Sequence, residues 1–485
     1  MKLVVATLVS VILVASCGDG EGSRIIDGLD RCTIPSAEEL VSLDELEELL
    51  TLVAQSSPNR SGDPKHAEYV DELEQRFTAL GADVQSIPHA LTDQVINEAK
   101  LIVTVGETTL DASVSSIPRA GLGRVEGPLV WVPNSWSDAP SVVDAVVVRP
   151  LPTLALSVDA LLGEAWEVYD PNGSLAEQPE YRAGESFERP WLSSRVEPDL
   201  IEAESRGALG VVYTRPLAVD DVKDMWSQTA LLDIPAVQIG QPQSTALTEA
   251  LDGGTAARAT LEVAGQRGPF DARSLRIDIP GPDPESPVVV VQTHTDSMNA
   301  LQENGGPALF VLLRAWLERP PQCNRLALRL ELSAAHRNGL AGALSADRAA
   351  MELGTRLAAV ISVEHLGARE YTISNDAGGV QTLRTTGRLE PTAFTFPSEL
   401  VSAAERMRES VIERKLDRVL FLEGGGSAGY FGEAKVFAQR GRLTFELISG
   451  PWVQNSPQFG LEAIDLVDMR RKIGSLLDLL IALEP

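Results

Sequence analysis

The chain has 485 residues, too many for one ordinary hydrophobic core, so two folded units are expected. Hydrophobic residues at 44% and charged residues at 23% place it among globular proteins. A formal net charge of −28 argues against a nucleic-acid partner, which needs a basic face to displace counterions from phosphates. The charge reads as a solvated, self-repelling surface, with attraction of cationic substrates as the alternative.

The N-terminus reads as an export signal. Met1-Lys2 is a short positive segment, and Leu3 to Ser16 is an apolar run too short to span a bilayer as a permanent helix. Val14-Ala15-Ser16-Cys17 resembles the lipobox of bacterial lipoproteins. That likeness implies cleavage before Cys17 and lipidation of its thiol; a plain secretory signal is the alternative. Gly18 follows, not the Asp that retains lipoproteins at an inner membrane, so an outer-membrane address is expected if the host has one. No other stretch approaches about 18 apolar residues, so the lipid is the expected membrane contact. Outside the cytoplasm Cys32 and Cys323 could pair, or could stay as two buried thiols.

Residues 18–33, rich in Gly, Asp and Ser, read as a tether. Helical patterns follow over Ala37 to Val53 and Pro64 to Leu80, the second with Ala67, Val70, Leu73, Phe77 and Leu80 at helical spacing before Gly81. Between about 117 and 268, short strand-like runs (Gly127 to Val132, Ala145 to Val148, Gly210 to Tyr213) alternate with Pro, Gly and charged residues. A short helix is expected over Leu200 to Gly207.

From about 275 the pattern becomes strand–helix alternation. Strands are expected over Pro287 to Gln292, Leu326 to Leu332, Leu357 to Val363, Val419 to Leu422 and Leu443 to Ile448. Helices are expected over Gly305 to Leu317, Gly339 to Leu353, Ser398 to Arg414 and Leu461 to Leu483. This is an α/β arrangement, a mostly parallel (mixed) sheet flanked by helices. In such a sheet functional groups gather beyond the carboxyl ends of the strands.

Three of the five histidines stand there. Successive strands end in Thr293-His294-Thr295-Asp296, Ala334-Ala335-His336-Arg337 and Val363-Glu364-His365. Each alone reads as a polar strand end or helix cap. Together they point to a shared metal or acid–base site, because imidazole nitrogen and carboxylate oxygen suit zinc. A serine nucleophile is the weaker idea, resting on the single loop Gly425-Gly426-Ser427-Ala428-Gly429.

Val288 to Ser297, followed by Gln302-Glu303-Asn304-Gly305-Gly306 and an apolar helix, resembles the co-catalytic zinc exopeptidases of the bacterial leucyl aminopeptidase and glutamate carboxypeptidase type. The Arg60-Ser61-Gly62 turn and its helix are similar to that family's N-terminal part. Residues 117–268 resemble the protease-associated domain often inserted there, above all Ala208 to Tyr213 and Ile234-Pro235-Ala236-Val237. After the signal at 1–17 and the tether at 18–33, the resemblance implies a peptidase-like domain at 34–116 and 269–485 and a β-rich insert at 117–268.

By the same resemblance His294 is a metal ligand, Asp296 orients it, and Glu364 stands for a ligand aspartate. The bridging acid falls on Gln302 or Glu303. The paired glutamates, base then ligand, fall on His336 and Arg337, and the last ligand histidine falls on Asn455. A two-zinc centre is therefore not expected. A one-zinc scheme takes His294, Glu303, His336 and Glu364 as ligands, with His365 or Glu423 as base toward a water whose pKa falls to about 7. Glu423 opens the Gly424-Gly425-Gly426 loop, where a turn residue is the favoured reading. The expected activity is an exopeptidase or amidohydrolase acting on a peptide or small amide substrate; the alternative is an inactive relative that binds peptides or proteins.

Overall fold

The computed structural model describes residues 32, 34–182, 184–189, 195–225, 230–424 and 429–484. The signal segment, Cys17, most of the tether and the Ser427 loop lie outside the described residues. Neither Cys32 nor Cys323 is a free thiol; each is disulfide-bonded. From Pro35 onward the chain forms one compact unit.

Two helices open it. The continuous helix expected over Ala37 to Val53 is two, Ala37–Leu40 and α1 (Leu43–Ser56). Ser36 and Ser42 each cap a new start by accepting a backbone N–H three residues on, and the chain turns between them. Helix α2 (Pro64–Ala79) has proline in its first turn and buries Tyr69, Val70, Leu73 and Phe77 along one stripe.

Residues 81–116, where no strand was expected, begin with a 23-residue strand, β1 (Asp83–Val105). It pairs antiparallel along its length with another of 23 residues, β6 (Ala257–Ile279). Between them lie β2 (Gly123–Trp131), β3 (Val146–Pro150), β4 (Gly210–Ala218) and β5 (Ala236–Gln241), mutually parallel. Val146, Val147, Val148, Val211, Val212 and Tyr213 are all buried, as continuous apolar runs require when both faces are covered. The expected helix over Leu200 to Gly207 begins earlier, at Val196.

The rest follows the strand–helix alternation: β7 (Val288–His294), α3 (Gly305–Glu318), β8 (Ala327–Ser333), α4 (Ala341–Glu352), β9 (Leu357–Glu364), β10 (Thr392–Phe396), α5 (Val401–Glu413), β11 (Val419–Glu423), α6 (Ala434–Ala438), β12 (Thr444–Ser449) and α7 (Leu466–Ala482). Among the described residues the sheet runs β5-β4-β3-β2-β6-β8-β7-β9-β12-β10-β11. Strands β8, β7, β9 and β12 are parallel neighbours; β6 and β10 run antiparallel, so the sheet is mixed. All seven residues of β7 are buried. Helix α3 starts hard against its tip, since a Cβ on Gly305 would lie 1.8 Å from Thr293 Oγ1.

Register places the site. His294 is level with Ser333, and Gln292 with Ser362, so two residues on His294 is level with Glu364.

Candidate metal centre and its cavity

At the strand tips His294 Nε2, His365 Nε2 and a Glu364 oxygen lie within 4.8 Å of one another. Glu364 Oε2 is 3.7 Å from His294 Nε2 and 3.8 Å from His365 Nε2. The opposite ring nitrogens fix the tautomers. His294 Nδ1 is 3.1 Å from the Asp296 carbonyl and His365 Nδ1 is 2.8 Å from the Ser449 carbonyl. A carbonyl only accepts, so both Nδ1 atoms carry the proton and both Nε2 lone pairs face the gap. Both Nε2 atoms are buried and lack a hydrogen-bond partner. Two lone pairs and a carboxylate in a dry gap repel each other unless a cation lies between them, so this donor set fits one metal ion with a position left open.

Burial also holds His294 well below the usual imidazole pKa and brings His365 down to about 4. Both rings are therefore neutral and able to ligate. Burial raises Glu364, whose Oε1 accepts the Glu433 N–H at 2.8 Å. Backbone strain collects here, with His365 at φ 56° and Ala335 at φ 63°, conformations held only where the surroundings enforce them.

His336 lies beside this group, its ring centroid 4.3 Å from that of His294. Its Nδ1 faces a carboxylate, Glu433 Oε1, at 3.0 Å. Burial keeps the imidazole neutral and pushes the Glu433 carboxyl well up, with the Glu364 charge adding to the second shift. Glu433 carried no signal in the sequence. It reaches the site because α6 docks under β9.

Several expected roles fall elsewhere. Glu303 lies outside the donor group, its oxygens accepting from Asn59 Nδ2 at 3.1 Å and Ser297 Oγ at 2.6 Å. The Asp296 side chain does not orient His294; the Asp296 carbonyl does, while the carboxylate accepts the His336 N–H at 3.1 Å. Burial raises that carboxyl to about 6. His365, expected as a base, stands in the donor group. Glu423, the other expected base, is exposed at the end of β11 and lies outside the donor group. The Asn59–Ser61 turn clasps the site from outside, with Asn59 pairing to Ser297 and Ser61 Oγ accepting the Ala335 N–H.

The positions that the resemblance gives to a second ion do not fit one. Asn455 Oδ1 accepts from Gln302 Nε2 at 3.0 Å and from Arg337 Nη2. Two amides and a guanidinium offer no anionic oxygen.

His336, Arg337, Glu364 and Asn455 form one end of a cavity of about 290 Å³, whose far wall includes Leu156, Leu161 and Leu420. No family model matches the chain, and no curated protein matches it. Solved structures do. A peptidase M28 precursor from Shewanella amazonensis SB2B superposes with a TM-score of 0.66 at 14% identity, covering 92% of this chain and 96% of its own. BSAP, a zinc aminopeptidase from Bacillus subtilis, gives 0.62 at 13% identity over 93% and 95%. An aminopeptidase from Aneurinibacillus sp. strain AM-1 gives 0.58 at 14% identity over 92% and 94%. The fold is that of the zinc aminopeptidases. Within this aminopeptidase fold the His294, Glu364 and His365 group sits at the strand tips, as open α/β sheets place their sites.

Proposed function

We propose that the chain is an exported, lipid-anchored metallohydrolase of short peptides or small amides, using one zinc ion held by His294, Glu364 and His365. The observation that carries this reading is the pair of unpartnered Nε2 lone pairs facing one carboxylate oxygen in a buried gap. Zinc there supplies Lewis-acid polarisation of a carbonyl and lowers the pKa of a water molecule. The chain's own groups do the rest. His336 Nε2 takes the proton from the attacking water, while Glu433, ionised once a cation beside Glu364 offsets its raised pKa, accepts from Nδ1–H and keeps Nε2 an acceptor. The leucine-lined wall holds an apolar side chain and keeps bulk water away. Residues 117–268 form a protease-associated insert in this reading, and Cys17 carries the lipid at an outer membrane where the host has one.

Metal analysis of a form beginning at Gly18 tests the centre. About one zinc per chain is expected, retained in His336→Ala and lost in His294→Ala, Glu364→Ala and His365→Ala. Wild-type protein with no bound metal at neutral pH would remove the basis of the proposal. The Cys17→Ala full chain should fail to incorporate labelled fatty acid.

A second reading, an inactive relative that binds peptides or proteins, is favoured by Arg337, Asn455 and Gln302 at the second-ion positions. Hydrolysis of an aminoacyl and dipeptide panel, abolished by chelator, separates the two.

A further inference from the structure

The cavity is charged at one end and apolar at the other. Its charged lining residues are Arg337, Lys435 and Glu364, and Glu364 belongs to the metal centre. Two cations therefore face the open space in a protein with a net charge of −28. Glu433 and Glu446 lie close by but are turned to other work. Glu433 holds His336 and the Gln292 amide, and Glu446 accepts the Phe431 N–H and the Thr395 hydroxyl.

The two cations are held differently. Arg337 is buried and anchored by Asn455, whose carbonyl oxygen is fixed in turn by Gln302. Burial brings its guanidinium to about 10, so it stays charged at neutral pH. Lys435, on the first turn of α6, is half-buried in the wall and makes no ion pair or side-chain hydrogen bond among the described residues. With no side-chain hydrogen bond of its own, that ammonium has donors to offer a ligand anion. The lining also includes Leu156, Leu161, Ala393, Leu420 and Ile448, which offer only hydrocarbon. The volume of about 290 Å³ lies at the low end for small-ligand pockets, which run from about 300 to 1,000 Å³, so it suits one or two residues rather than a long chain.

We infer that Arg337 and Lys435 form a carboxylate receptor, so that the ligand of this cavity is a short peptide or acylated amino acid with a free carboxylate and an apolar side chain. The inference rests on the peptide-site reading above and adds to it the end of the peptide that is recognised. The guanidinium fork and the ammonium give charge-assisted hydrogen bonds to the two carboxylate oxygens. The leucine wall sorts ligands by side-chain size.

Calorimetric binding of N-acetyl-leucine and N-acetyl-leucinamide tests it, on both the zinc-loaded and the chelated protein. The acid should bind roughly tenfold or more tighter than the amide in both forms, as a charge-assisted pair implies. The preference should collapse in Lys435→Met and in Arg337→Met, and return in Lys435→Arg. The half-buried Lys435 pair of variants carries the test alone if Arg337→Met does not fold. Equal binding of acid and amide by wild type overturns the inference, as does a preference that survives Lys435→Met. A preference that vanishes on chelation also overturns it, because the ion alone then reads the carboxylate. Intact selectivity without hydrolysis of any peptide overturns the hydrolase reading and leaves the receptor standing.

Discussion

His336 differs from the two histidines beside it in what faces its Nδ1. His294 and His365 face backbone carbonyls, whereas His336 faces Glu433. A carbonyl fixes a ring as a passive ligand; a carboxylate also stabilises the imidazolium that forms when the ring takes a proton. His336→Ala should therefore lower kcat by about two to four powers of ten, leaving zinc content near wild type. Glu433→Gln should keep the zinc and lose a smaller part of kcat. Steady-state kinetics beside metal analysis decide this. Loss of zinc in His336→Ala would make His336 a ligand instead.

Among elements, the short segment entering α6 matters out of proportion to its length. Gly432, at φ 46°, passes so close that a Cβ there would lie 2.2 Å from Glu364 Oε1, and the next residue donates its N–H to that same oxygen. The segment thus fixes the rotamer of the one carboxylate in the donor group. Gly432→Ala should weaken zinc binding by about tenfold to a hundredfold, since groups that orient ligands carry effects of that size. Titration against a competing chelator measures it. The clasp by Asn304 works on the other side, bonding Leu366 through both its amide ends and holding the strained His365 turn.

Stability of the whole molecule should depend on pH through a buried pair that joins β6 to β8. Glu331 on β8 lies opposite Arg276 on β6, with Nε to Oε1 at 2.5 Å, and is almost fully buried. Burial outweighs the arginine and raises the carboxyl from 4.5 to about 7. Between those values the unfolded chain gives up a proton that the folded chain keeps. Stability should then fall as pH rises from about 4.5 to about 7 and level off above. Surface repulsion from the net charge of −28 acts in the same direction, but about 1 M salt, with a Debye length near 3 Å, screens it. In high salt Glu331→Gln should lose less urea midpoint than wild type between pH 4.5 and about 7, both measured on the chelated protein. An unchanged slope in the variant would assign the effect elsewhere.

Composition and pattern alone carried much of the architecture. Unbroken apolar runs marked the buried parallel strands, and polar residues at their ends marked where a site would form, because period and burial are local properties of sequence. The carboxyl ends of β7, β8 and β9 were legible in this way, and so were His294 and Glu364. The 23-residue strands β1 and β6 were not, since their exposed stretches alternate weakly and it is pairing with strands distant in the chain that holds them extended. Nor could sequence distance reveal that Glu433, 97 residues from His336, holds its ring. The choice between Glu303 and His365 as a donor was likewise tertiary. It depended on which oxygens and nitrogens neighbouring elements had already satisfied, and hydrogen-bond partners far apart in the chain become fixed only when the strands and helices pack.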